Sequence, residues 1–389
     1  MKYDFRADNI RSLSAYCFMF FLALLPVFTE VGKVNNLFHA SIILMAFFLL
    51  IKSKDKLGFF TDFDKDLFLG LILISVFLLY FSLSNLWSSN PENFFSSFKH
   101  TLYLLFFVSM VSYVVNNRSV LTLHYLIFSG CFVLLILTLL LVDKNTILTN
   151  RLENGFSLAP SNVIDLGGYF AIGIISCLII IRETGKHWLY FAAILLFIGL
   201  LLTQSRGPLL ALCVAMLLLV TKYKNVHLKH IIYLVLSLLI IFLFMQLTGY
   251  GSEFYSRMTD SYKQSFIRFG IWENAFTLAK EHFWFGWGFD KQLEFTNSVG
   301  QNITTTHSVY FSTFLKGGII GVLCLISLIL WGLSQAYKRY HEAMTLEAVL
   351  YIFSLLFFLT QGMFVLGSPG EAWMLFWLPL AVVAAKRKA

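Results

Sequence analysis

Val133-Leu134-Leu135-Ile136-Leu137-Thr138-Leu139-Leu140-Leu141-Val142 is an apolar run in which polar and apolar residues do not alternate. A strand of a transmembrane barrel must alternate, because one face meets lipid and the other the lumen. This run is apolar on every side and reads as a helix whose backbone bonds close within the segment. Runs of the same kind recur along the chain at roughly 17–25 residues each, the length that crosses ~30 Å of hydrocarbon. The composition agrees, because 58% hydrophobic and 13% charged residues exclude an ordinary soluble domain. The fold class that follows is all-α: a polytopic integral membrane protein with about 12 transmembrane helices.

The spans fall at approximately 12–29, 36–51, 66–86, 100–115, 121–142, 164–181, 187–203, 207–221, 230–248, 307–333, 346–366 and 370–385. The first run lacks a small-residue cleavage site and is read as the start of the bundle. With the N-terminus inside, eighteen of the 29 basic residues fall on the cytoplasmic side, from Lys2 and Arg11 to Lys386 and Lys388. The positive-inside rule then puts both termini in the cytoplasm. Much of the +8 net charge is therefore topology, and no nucleic-acid partner is implied. The five cysteines all lie in apolar runs without a CxxC pair, so they read as buried small hydrophobes. Neither an internal repeat nor a low-complexity linker is apparent, and residues 1–389 form one transmembrane domain.

Against this background one polar stretch stands out. Residues 249–306 form a large periplasmic loop between the ninth and tenth spans and carry Arg257, Lys263, Arg268, Lys280 and Lys291. Within it, Ser265 to Phe285 has apolar residues at Ile267, Ile271, Ala275, Leu278, Ala279 and Phe283, the pattern of an amphipathic helix, with Gly286 and Gly288 as the stop. The cluster Phe283, Trp284, Phe285, Trp287 and Phe289 suits a membrane–water interface, so the loop is expected to lie on the membrane as a lid. Packing of the same aromatics onto the bundle is an equally good reading.

Three places could carry chemistry. Arg206 lies between two apolar spans in Thr203-Gln204-Ser205-Arg206-Gly207-Pro208, where a guanidinium is costly unless it meets an anion or a distant carboxylate. Arg268 opens Arg268-Phe269-Gly270-Ile271-Trp272 near a helix start, a setting that favours phosphate, although Glu253, Asp260 and Glu273 allow a plain ion-pair network. His307 and Ser308 stand where the loop re-enters the membrane, and an imidazole there can take a proton from a hydroxyl near neutral pH. A packing histidine is the alternative. His307, Phe311, Phe314, Gly318 and Gly321 share one helical face, where the glycines would admit a neighbouring helix or a lipid, and Lys316 adds a second cation. No aspartate pair, Walker loop or GxSxG is present, so neither a metal nor a nucleotide cofactor is expected.

His307-Ser308 followed by Gly318-x-x-Gly321 resembles the signature of the bacterial O-antigen ligases. The Arg206 turn, the Arg268–Trp272 helix start with Gly286-x-Gly288, and the loop Arg151 to Asn162 are similar to further stretches of that family. The last departs from the family's Asn-Pro-Asn in having Ala159-Pro160-Ser161-Asn162, and Val322 occupies a position usually small or polar. The resemblance implies a metal-independent inverting glycosyltransferase of the inner membrane with a periplasmic active site. Its donor would be O-antigen on undecaprenyl diphosphate, and its acceptor lipid A–core. Arg206 and Arg268, with Lys316 or Lys291, would hold the diphosphate, and His307 would orient or deprotonate the acceptor hydroxyl. Ser308, Gly318 and Gly321 would support the motif.

Two relatives use the same donor, the O-antigen polymerases and the protein O-oligosaccharyltransferases. The arginine-to-glycine spacing of the former is missing after Arg151, Arg206, Arg257 and Arg268. A lipid-linked glycan transporter, from a different class, would show matching halves with charges in mid-span. The polar residues instead gather at one face.

Overall fold

The computed structural model describes residues 5–51, 65–143, 151–152, 155–222, 267–296, 300 and 302–386. The expected span 230–248, together with Arg257 and Lys263, lies outside the described residues, as does the first part of the 249–306 loop.

Among the described residues, six helical segments are long and apolar enough to cross a membrane: Gly32–Ile51, Lys65–Trp87, Pro91–Asn117, Val120–Leu141, Val163–Thr184 and Val309–His341. Shorter apolar helices occupy Asn9–Leu24, Leu189–Leu202, Arg206–Leu219, Thr345–Phe357 and Trp373–Ala384. The chain is an all-α integral membrane protein. Its helices are α1 (Phe5–Leu24), α2 (Asn35–Ile51), α3 (Lys65–Leu83), α4 (Phe94–Asn117), α5 (Val120–Leu141), α6 (Val163–Thr184), α7 (Leu189–Leu202), α8 (Arg206–Lys222), α9 (267–281), α10 (Val309–His341), α11 (Thr345–Phe357) and α12 (Leu378–Ala384). A two-residue hairpin pairs Phe295–Thr296 with Asn302–Ile303, antiparallel.

α6 is the hub. It packs on α5, α7, α8 and α11, and it is buried on all sides, which explains why its sequence is apolar without a polar stripe. At its far end Arg182 holds the fully buried Glu347 of α11 through two bonds of 2.7 and 2.6 Å. A pair of this kind is strongly destabilising to break, since one charge is left buried alone. Trp373 fills the centre against Phe38 and Phe107, with ring centroids 5.0 Å away in each case.

Two features depart from the hydropathy reading. The expected span 346–366 stops as a helix at Phe357, and 358–370 continues as irregular backbone. Its carbonyls are used by side chains: Trp377 donates to Val365 O at 2.6 Å and Trp373 to Gly367 O at 3.1 Å. Irregular chain at this depth is tolerable because protein surrounds it. The second feature is a break inside α10 at Gly318, with φ +59° and ψ −161°. His307, Phe311 and Phe314 therefore do not run on in one unbroken face to Gly318 and Gly321.

Candidate active site

The break in α10 is filled by backbone. Trp287 N–H donates to Leu315 O (3.0 Å) and Gly288 N–H to Lys316 O (2.9 Å), so the stretch after α9 takes the carbonyls the helix abandons. In return Ile319 N–H donates to Phe283 O (2.8 Å) and Ile320 N–H to Trp284 O (3.3 Å). The hydroxyl of Tyr80 on α3 donates to Gly317 O at 2.6 Å and to Phe285 O at 3.2 Å, closing the clasp from the third side. Glycine is needed at both partners. A Cβ on Gly318 would stand 2.5 Å from the Trp284 carbonyl, and one on Gly286, whose φ is +69°, would collide with the Lys316 carbonyl. The close neighbour admitted at Gly318 is thus a loop rather than a helix. Gly321 faces Phe81 and Tyr80 of α3.

The clasp lays α9 along the first turns of α10. Ile271, Ala275 and Ala279 bury against Leu293 and Leu315, which is the apolar face read from the sequence. Trp272 stacks on Phe311 (5.3 Å, 14°) and donates its indole N–H to Thr306 O at 3.1 Å. One turn before Trp272 on the same helix stands Arg268, which is thereby brought to His307. Phe269, Trp284 and Phe285 remain exposed.

Arg206 is the first residue of α8, so the positive end of that helix adds to its guanidinium. The turn before it is held from a distance. Arg151 donates through Nε to Thr203 O (3.1 Å) and through Nη2 to Ser205 Oγ (2.9 Å), and Ser205 Oγ donates to Val163 O (3.2 Å). Gln204 sits at φ +51°, and among the described residues its buried amide atoms make no hydrogen bond. Such strain is affordable only where surroundings over-determine the conformation. Arg151, which the sequence marks only as the start of a loop, thus ties that loop to the Arg206 turn.

The three groups sense one another. Burial, and after it the Arg206 guanidinium, push Arg268 below the usual arginine range. Burial, and after it the Arg268 guanidinium, push His307 below its ordinary 6.5. Among the described residues no carboxylate pairs with Arg268. His307 itself adopts φ +48°, a left-handed conformation for a side chain that has one.

The remaining predicted residues have partners of their own. Lys316 donates to Phe289 O and sits over the rings of Phe289 (5.1 Å) and Phe364 (5.7 Å). Lys291 lies over Trp287 (5.0 Å) and 3.8 Å from Glu294. Ser308 is buried, and its carbonyl accepts from Thr306 Oγ1 at 2.7 Å. Among the described residues no group of three or more His, Cys, Asp or Glu is placed to hold a metal ion.

Residues 191–326, which include Arg206, Arg268, His307, Lys316 and both clasp segments, match the sequence model of a family described as O-Antigen ligase. A curated relative named O-antigen ligase, from Pseudomonas aeruginosa, is 32% identical over 189 residues. That match covers 48% of this chain and 45% of the relative, so the chain spans about half the length of the curated relative it matches.

Proposed function

We propose that this chain, whose residues 191–326 match the O-antigen ligase family model, belongs to that family and joins a lipid-linked O-antigen polysaccharide to lipid A–core. The observation that carries the reading is a chain of three groups at the foot of α10: Arg206 acts on Arg268, and Arg268 stands close enough to His307 to oppose its protonation. An anion between Arg206 and Arg268 would be attracted to both. A diphosphate supplies such an anion. The neutral imidazole beside them supplies a base.

In the reaction so assigned, the donor is undecaprenyl-diphosphate-linked glycan, and the face carrying His307 is the periplasmic side of the inner membrane, with both termini cytoplasmic. An acceptor hydroxyl oxygen of the core sugar bonds to the anomeric carbon while the carbon–oxygen bond to the diphosphate breaks. The electron pair leaves with the diphosphate, where Arg206 and Arg268 meet the growing charge. The hydroxyl proton passes to His307 and then to water. Attack opposite the leaving group inverts the anomeric centre, and no metal is required for these steps. Exposed Phe269, Trp284 and Phe285 suit contact with the lipid interface, where both substrates travel.

The test is a lipopolysaccharide gel from a native host lacking the gene, complemented with wild type, His307→Ala, Arg206→Ala or Arg268→Ala. Bare lipid A–core with long polymer on its carrier lipid is expected for each variant. Single repeats on the core without long chains would make the protein a polymerase. Retained ladders in both arginine variants would overturn the diphosphate assignment.

A further inference from the structure

The irregular chain after α11 touches both halves of this site. Val309 N–H donates to Phe358 O at 3.2 Å, two residues beyond His307. A Cβ on Gly207, next to Arg206, would lie 2.6 Å from Thr360 Oγ1. A Cβ on Gly362 would lie 2.8 Å from His307 N and 2.9 Å from its Cα. One short strap thus bridges the Arg206 turn and the His307 backbone. A segment without helix or strand has no ladder to fix its shape, so side-chain bonds must do so.

Gln361, between the two contacts, makes those bonds. Its Nε2 donates to Asp165 Oδ1, and its Oε1 accepts from Gly362 N–H at 2.7 Å. Both side chains are buried, with 4% exposure each. Asp165 belongs to the first turn of α6, the most enclosed helix of the bundle. The amide has one donor end and one acceptor end. A carboxylate takes the donor, which leaves only the acceptor for Gly362. The carboxylates of Glu371 and Glu30 are the other titratable groups that act on Asp165, and Asp165 in turn acts on the hydroxyl of Tyr169. None replaces Gln361 as the donor.

We infer that Asp165 and Gln361 are a positioning pair: through the strap 358–362 they set the separation of the Arg206 turn and His307. The inference rests on the ligase reading above. The test uses the full-length protein in the host lacking its own copy, with rates from purified enzyme, lipid-linked donor and lipid A–core. Gln361→Glu places two carboxylates face to face, and transfer is expected to fall about a hundredfold, the penalty for misplacing reacting groups by about 1 Å. Combining it with Asp165→Asn restores a donor opposite an acceptor, since Asn Nδ2 can bond to the new carboxylate. Recovery to near the wild-type rate is expected, and a merely space-filling role would show none. Gln361→Met keeps the volume without either hydrogen bond and should lose transfer while eluting as a folded protein in detergent. Wild-type rates in Gln361→Met, or a double variant no faster than Gln361→Glu, would overturn the pair. A ladder restored by His307→Ala would instead overturn the ligase reading, and the pair with it.

Discussion

Replacing Gly318 by alanine tests the clasp most directly. The backbone there, at φ +59° and ψ −161°, lies in a region that essentially only glycine occupies, and holding alanine in it costs about 1–3 kcal/mol. The new Cβ would also stand 2.5 Å from the Trp284 carbonyl and 2.6 Å from Gly286 N, all of it backbone with no rotamer to turn aside. Overpacking of this kind adds about 1–3 kcal/mol. The clasp itself is four backbone bonds, from Trp287, Gly288, Ile319 and Ile320, with a net value of about 0.5–1.5 kcal/mol each. Strain and restraint are of one size, so the cheapest response is for the clasp to open while the bundle stays folded. α9 then loses its register on α10, and Arg268 its place beside His307. Transfer should fall about a hundredfold for a shift of about 1 Å, and the Trp287, Gly288 and Ile319 amides should exchange with solvent sooner. Gly321→Ala is the internal comparison. Its Cβ meets the ring edges of Phe81 at 2.9 Å and Tyr80 at 3.3 Å, which can give way, so the loss should be much smaller. Wild-type transfer with protected amides in Gly318→Ala would refute the reasoning, as would equal damage from Gly321→Ala.

Three further outcomes follow from the same geometry. The neutral form of His307 is the favoured one, so the acid limb of the rate profile should lie below pH 6.5, and Arg268→Gln should move it to higher pH in whatever rate remains; an unmoved limb would detach the two groups. Arg151→Lys keeps the charge but cannot serve Thr203 O and Ser205 Oγ together, and transfer should fall roughly tenfold, the equivalent of about 1.4 kcal/mol. Unaltered kinetics would make Arg151 dispensable. Lys316→Met keeps the stem between Phe289 and Phe364 but removes the donor to Phe289 O, so melting temperature should fall while the KM for the donor lipid holds; a raised KM would instead place Lys316 on the diphosphate.

What could be read from the chain and what could not divide along a physical line. Apolar runs and the face Ile271-Ala275-Ala279 are local patterns, and local patterns were sufficient for helices and for the side of α9 that is buried. Arg206, Arg268 and His307 were visible for a related reason: a charge or imidazole beside an apolar span is anomalous wherever its partner lies. Hydropathy failed at 358–366 because Met363-Phe364-Val365-Leu366 is as apolar as a span, yet packs as coil around Trp377. It reports how dry a segment is and says nothing of its path. Arg151 and Asp165 were passed over because their meaning depends on Thr203 and on Gln361, 52 and 196 residues away. The glycines are the instructive middle case. Their spacing was plain, but what approaches Gly318 is the backbone of Trp284 to Gly288, and backbone leaves no side-chain signature of its own. The trace it leaves is a second glycine, Gly286, on the other partner. Two glycine motifs some thirty residues apart therefore encode one contact, and that contact carries the arginine to the histidine.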